Sequence, residues 1–245
     1  MKTQFIHHEE NDRVTTLTLA RPELLNAISP PLMTELLAAV ASVAASEARV
    51  LILTGQGKAF SAGVDLKYAQ SPEFSPAVQS QFSQEARELC KMLETMPQAV
   101  IARVDGFCLT GGLEIALACD LIVASERSRF ADTHARIGLY PGWGGSQRLP
   151  ARVGAMRARE MSFTGRHYTA AEAATIGLIL EAVPDDQLDG RIQEICRSVL
   201  SNKSRSIAQY KSLYRASENL GLDEGLAYEA AIPFPARRRP APEAG

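Results

Sequence analysis

Ala99-Val-Ile-Ala-Arg-Val104, Asp105-Gly-Phe-Cys-Leu-Thr-Gly-Gly-Leu-Glu-Ile-Ala-Leu-Ala-Cys-Asp120 and Leu121-Ile-Val-Ala124 follow one another without a break in the middle of the chain. The first and last are continuous apolar runs bounded by turn residues, the pattern of strands covered on both faces. The middle segment opens with a glycine turn and closes with Leu113 to Cys119, apolar apart from Glu114, which reads as a helix begun at Gly111-Gly112. Strand and helix patterns also alternate upstream. Val14-Thr-Thr-Leu-Thr-Leu19 reads as an early strand and Val50-Leu-Ile-Leu-Thr54 as a buried one. Leu32, Met33, Leu36, Leu37, Val40 and Val43 follow Pro30-Pro31 at helical spacing, as do Phe82, Ala86, Leu89, Cys90 and Leu93. Strands alternating with helices predict parallel pairing through right-handed crossovers, hence an α/β core.

Two textures divide the chain. Residues 1–184 carry the strand and helix rhythm. Residues 185–232 are helical throughout, and residues 233–245 form a Pro- and Arg-rich tail that cannot continue a helix and is expected to be mobile. The later helices are expected at about Ala155 to Phe163, Ala170 to Ile176, Asp186 to Ser201, Ser204 to Ser217 and Leu222 to Ala231.

Composition narrows the functional classes. The 245 residues are 46% apolar and 22% charged, with 26 Lys+Arg against 28 Asp+Glu. That balance offers no basic stripe for nucleic acid, and it is not a disordered acidic chain. The longest nearly apolar stretch, Leu36 to Ala45, is half of the roughly 20 residues a membrane-crossing helix needs. Cys90, Cys108, Cys119 and Cys196 form no C-x-x-C pair and have no histidine placed as a fellow ligand, so they read as core thiols in a reducing compartment. Met1 to Glu10 lacks the apolar region of a secretory signal, and the cytoplasm is the expected location. Neither a metal nor a redox cofactor is expected.

Two glycine-bearing loops each follow a buried strand: Gly55 to Leu66 and Asp105 to Asp120. In a parallel sheet both leave the carboxyl ends of their strands, the edge where ligands bind in open α/β folds. The first amides of a helix begun at Gly111 have no internal partner, and with the positive dipole end they can stabilise an oxyanion. A second amide from Ala62-Gly63 would complete an oxyanion hole, worth about 3–4 kcal/mol per donor. Glu114 has two readings. It is a first-turn carboxylate favoured by the dipole, or a desolvated acid whose raised pKa suits proton transfer.

These residues resemble the crotonase, or enoyl-CoA hydratase/isomerase, superfamily. Gly57 to Leu66 matches its G-x-A-F-S-A-G-x-D-L loop, and Asp105 to Asp120 matches D-G-x-x-x-x-G-G-x-E-[ILV]-A-L-x-C-D. Phe130 to Leu149 matches F-A, six residues, G-x-x-P-G-x-G-G-[ST]-Q-R-L, and Arg21-Pro-Glu-Leu-Leu-Asn-Ala-Ile28 is similar to R-P-x-x-x-N-A-[LM], with Ile at the last position. The likeness extends over about Val14 to Leu226. It implies a spiral of ββα turns with a C-terminal helical trimerisation region, assembling as a homotrimer or a dimer of trimers. It implies a CoA thioester as substrate, its carbonyl held by the amides of Ala62 and Gly111. Ala62, Gly63, Val64 and Asp65, with Gly111, would line the thioester and pantetheine end, and Pro141 to Gln147 would wall the acyl group.

Hydratases of this superfamily use two glutamates. Glu114 matches the first, and His134 stands where the second would be. His134 is either a proton carrier, since imidazole titrates near neutrality, or a surface or pocket-lining histidine. Asp132, two residues earlier, would face the same side if the stretch is extended, and is otherwise a solvated turn residue. Ser61 has no base and acid arranged around it, and no G-x-S-x-G elbow is present. His7 and His8 read as solvent-exposed, and His167 as part of a helix connection. Lys58 and Lys67 can meet CoA phosphates as point charges or stay solvated, whereas Glu23 stands where many relatives carry a basic residue. Trp143 either stacks on an acyl chain or fills the core. The expected activity is reversible hydration of a 2-enoyl-CoA, with Glu114 moving the proton. Acyl-CoA binding without efficient turnover and a different enolate reaction are the alternatives.

Overall fold

The computed structural model describes residues 4–233. The tail expected to be mobile, 233–245, lies outside the described residues from 234 onward. The chain opens with a hairpin, β1 (Ile6–Asn11) and β2 (Val14–Leu19), then α1 (Pro30–Ala44). Three turns of one spiral follow. The first contains β3 (Val50–Gly55), β4 (Ala59–Ser61), α2 (Leu66–Ala69) and α3 (Pro76–Thr95). The second contains β5 (Ala99–Val104), β6 (Phe107–Leu109) and α4 (Gly111–Leu117). The third contains β7 (Leu121–Ser125), β8 (Arg129–Ala131), α5 (Gly145–Val153) and α6 (Ala155–Thr164).

Each turn contributes one strand to each of two sheets. The larger sheet runs β1, β2, β3, β5, β7 and then β10 (Glu181–Val183); the smaller runs β4, β6, β8 and then β9 (Tyr168–Thr169). Pairing is parallel except at β1/β2 and β8/β9. The parallel α/β core and the spiral of ββα turns are therefore as expected. The smaller sheet was not foreseen, because strands of two or three residues are too short to show a period.

The larger sheet is buried on both faces. Leu51, Leu53, Val100, Ala102, Ile122 and Ala124 join the main core with α1 and α3, while Val50, Ile52, Ile101 and Val123 point the other way. There they meet Leu188, Ile192, Ile195 and Cys196, which lie on α8 (Leu188–Ser201), reached after α7 (Ala170–Thr175). The helical region at 185–232 is therefore of two kinds. Its first helix closes the core, whereas α9 (Ser204–Asn219) and α10 (Leu222–Ala231) bury no residue. Lys211 nevertheless ties α9 to the core, pairing with Asp120 at 2.8 Å and donating to the carbonyls of Leu93 and Gln98.

All four cysteines are free and buried. Burial pushes the Cys90 thiol up to about 12 and raises the other three. They are inert core thiols.

Candidate active site

The site begins where β4 leaves the smaller sheet. Asn26 braces this strand, its side-chain amide donating to the carbonyls of Ala59 at 2.7 Å and Gln56 at 3.0 Å. Ser61 Oγ donates to the Asn26 carbonyl and accepts from the Gly63 amide, so this serine is a buried brace. Arg21 Nη2 pairs with Asp65 Oδ2 at 3.0 Å, and Asp65 also caps α2 by accepting from the Tyr68 amide. Asp65, a residue expected to line the pantetheine end, thus spends its carboxylate on holding its own loop.

The amides of this loop divide in a way that spacing did not reveal. Ile28 N–H donates to the Gly63 carbonyl and Asp65 N–H to the Ile28 carbonyl, forming a parallel bridge opposite Val64. In such a bridge the residues flanking Val64 make the bonds, and the N–H of Val64 itself points away. It has no partner among the described residues. The Ala62 amide, expected as an oxyanion donor, already donates to the Leu25 carbonyl at 2.9 Å. That expectation is corrected: the open amide of the loop belongs to Val64.

The Gly111 amide is placed by strain. Thr110, the residue before α4, has φ +47° and ψ −115°, a conformation costing about 1–3 kcal/mol in a β-branched residue. The turn starts a helix whose first amides, including Gly111, have no intrahelical partner. Gly63, at φ +91°, lets the two loops meet, since a Cβ there would stand 2.7 Å from Thr110 Oγ1 and 3.1 Å from the Gly111 nitrogen.

Glu114, on the first turn of α4, is 3% exposed. Its Oε1 accepts from the amides of Trp143 and Gly145, both at 2.8 Å. A Cβ at Gly145 would stand 2.8 Å from Glu114 Cγ, so only glycine allows this approach. Burial pushes the Glu114 carboxyl up, against the two amides and the nearby imidazole that favour its charge. Glu114 Oε2 faces His134 Nε2 at 3.5 Å.

His134 is 7% exposed, which discards the surface reading. Its Nδ1 lies 2.6 Å from Asp132 Oδ1, which also accepts from the His134 backbone amide at 3.2 Å. Asp132 Oδ2 accepts from Ser162 Oγ at 2.7 Å. Burial works to raise the Asp132 carboxyl, but the hydrogen bonds from His134 and Ser162 prevail and hold it below its ordinary value. Asp132 is neither solvated nor aligned with His134 by an extended strand. The backbone turns into a 3₁₀ segment, His134–Ile137, and the two side chains meet directly. The sequence had not singled out Ser162, since it lies on α6, remote in the chain.

The remaining candidates are peripheral. Trp143 is 5% exposed and packs edge-on against Phe82 with centroids 5.3 Å apart, so it fills the core. His7 and His8 are exposed positions of β1, and Lys58, Lys67 and Glu23 are exposed. His167 is exposed between α6 and β9, its ring edge-on to Phe107. Among the described residues no group of three or more His, Cys, Asp or Glu is arranged to hold a metal ion, and no helix is long and apolar enough to cross a membrane.

Known proteins are similar to this chain in sequence and fold. Residues 9–233 match the model of the family described as enoyl-CoA hydratase/isomerase. The chain is 33% identical over 230 residues to a probable peroxisomal enoyl-CoA hydratase of Arabidopsis thaliana, covering 90% of this chain and 82% of that protein. It is 33% identical over 224 residues to the short-chain-enoyl-CoA hydratase of Clostridium acetobutylicum, covering 91% and 85%. The crystal structure of an enoyl-CoA hydratase from Bacillus anthracis superposes with a TM-score of 0.88 at 33% identity, over 93% of this chain and 88% of that one. With the two-sheet spiral, the acid on the first turn of α4 and a family match extending through both, the chain belongs to the enoyl-CoA hydratase/isomerase family.

Proposed function

We propose that the protein is an acyl-CoA-processing hydro-lyase that adds water reversibly across the double bond of a 2-enoyl-CoA. The observation that carries this is Glu114, a buried carboxyl facing His134 Nε2 at 3.5 Å on the helix whose first amides are open. Hydration needs one group to take a proton from water as oxygen bonds to C3, and another to give a proton to C2. Two facing groups, each able to hold or release a proton, meet that need. The thioester oxygen gains charge in the same step, and the amides of Gly111 and Val64 are the donors we assign to it. Gly63 keeps those donors adjacent.

We further assign α9 and α10 to assembly as a homotrimer or a dimer of trimers. Tyr210, Tyr214, Leu222, Leu226 and Tyr228 leave more apolar surface exposed there than a solvent-facing helix pair needs. The free buried thiols fit a reducing compartment such as the cytoplasm.

The test is loss of enoyl absorbance on adding the protein to crotonyl-CoA and longer trans-2-enoyl-CoAs. Turnover that falls away in Glu114→Gln supports the reading. CoA-ester binding by calorimetry without turnover of any enoyl or hydroxyacyl ester would overturn it in favour of a binding protein.

A further inference from the structure

The family position of the second carboxylate is not simply vacated here. It is filled by a histidine that arrives with its own buried anion. Asp132 Oδ1 is 2.6 Å from His134 Nδ1, Asp132 Oδ2 takes the Ser162 hydroxyl, and both Asp132 and His134 are more than nine-tenths buried. An ionised carboxylate only accepts, and Asp132 Oδ1 already accepts the His134 backbone amide. The ring nitrogen facing it must therefore be the donor, which leaves Nε2 directed at Glu114.

We propose that Asp132 and Ser162 are positioning residues for His134: they hold its proton on Nδ1, so that Nε2 alone exchanges a proton with the site, and they stabilise the imidazolium formed when Nε2 is protonated. The inference rests on the acid–base reading of Glu114 and His134 and names the groups that make it work. In the hydration direction Glu114 takes one proton from water as the oxygen bonds to C3, and the π pair moves toward C2 and the thioester oxygen. Nε2–H of the imidazolium then gives its proton to C2. Return of the proton from Glu114 to Nε2 restores the starting state, so H and OH are added with nothing left over. Asp132 does not change protonation at any stage. It keeps the ring in one tautomer and balances its charge, as a buried carboxylate behind a catalytic histidine does generally.

Two measurements test the role. The first is the ¹⁵N spectrum of the His134 ring in the resting protein, where we expect Nδ1 protonated whether or not Nε2 is; a bare Nδ1 with the proton on Nε2 overturns the proposal. The second is a double-mutant cycle on crotonyl-CoA hydration. We expect D132N to lower kcat by about 10²-fold in the native background but to change it within about twofold in the H134Q background. A loss of the same size in both backgrounds would mean that Asp132 acts through the fold, and would overturn the proposal. S162A repeats the cycle at a partly exposed position should D132N fold poorly, with about a tenfold loss expected in the native background alone. The ¹⁵N result does not depend on turnover. A protein with Nδ1 protonated that hydrates no 2-enoyl ester would refute the hydratase reading while supporting the positioning of the ring.

Discussion

Glu114 Oε2 and His134 Nε2 face each other at 3.5 Å, each on a side chain that is almost wholly buried, and each is held from behind. The amides of Trp143 and Gly145 fix the other oxygen of Glu114, and Asp132 fixes the other nitrogen of His134. Neither group can rotate away without leaving a buried donor or acceptor unpaired, at about 1–3 kcal/mol each. The pair is therefore preorganised, a carboxyl raised by burial facing an imidazole backed by a carboxylate.

Glu114→Gln removes the proposed proton carrier and keeps the shape. The amide oxygen of the new side chain can still accept from Trp143 and Gly145, so the substrate should bind much as before. We expect kcat for crotonyl-CoA hydration to fall by about 10²–10⁴-fold with KM changed little, followed by enoyl absorbance.

The same substitution should raise stability. Because the Glu114 carboxyl is raised in the folded state, the native protein binds a proton that the unfolded chain has released between the ordinary carboxylate value and the raised one. Stability is lost as pH climbs through that window, and the loss persists above it. Glu114→Gln has no such cost. Its urea midpoint should exceed the native one at neutral pH, with the gap closing as pH falls toward about 4.

His134→Glu would place the family's two glutamates in the site, yet it should not make an efficient hydratase by itself. The new carboxylate would sit between Glu114 and Asp132, and three like charges in a buried space cannot all ionise. We expect a protein destabilised by about 1–3 kcal/mol and less active than H134E/D132N, in which one charge is withdrawn. Thermal melts and enoyl absorbance on the two variants check this.

Gly63→Ala tests the meeting of the two loops. The new Cβ would force an L residue to φ +91° and press on Thr110 Oγ1 at 2.7 Å and the Gly111 nitrogen at 3.1 Å. A stability loss of about 1–3 kcal/mol is expected. Because the strain falls on the assigned oxyanion donors, kcat/KM should drop by about 10-fold or more, as for a weakened donor.

Leu226→Glu places a charge on the exposed apolar face of α10, where Leu226 is 54% exposed. Sedimentation velocity should show the assembled species giving way to monomer, with far-UV circular dichroism little changed, since α10 buries no residue within its own chain.

Much of this was legible in the residues. Val50 to Thr54 and Ala99 to Val104 read as strands covered on both faces because their apolar runs do not alternate, and they are buried on both faces. Gly111-Gly112 before an apolar run marked the helix start, and Glu114 within that run marked a desolvated acid. The short strands β4, β6, β8 and β9 were not legible, since their existence depends on pairing with one another and leaves no period in the sequence.

By itself, then, the sequence determined the class of fold, the two loops and the acid, because these follow from local pattern: buried runs, glycine turns and a carboxylate in apolar company. The tertiary structure alone decided the finer chemistry. Whether Ala62 or Val64 presents an open amide depends on the Leu25 carbonyl, brought there by a loop folded from the start of the chain. Whether Asp132 is solvent-facing or a partner of His134 depends on a 3₁₀ turn and on Ser162 arriving from α6. Hydrogen bonds between segments distant in the chain carry no signature in either segment, so which donor is spent and which is free is settled only when the chain has closed.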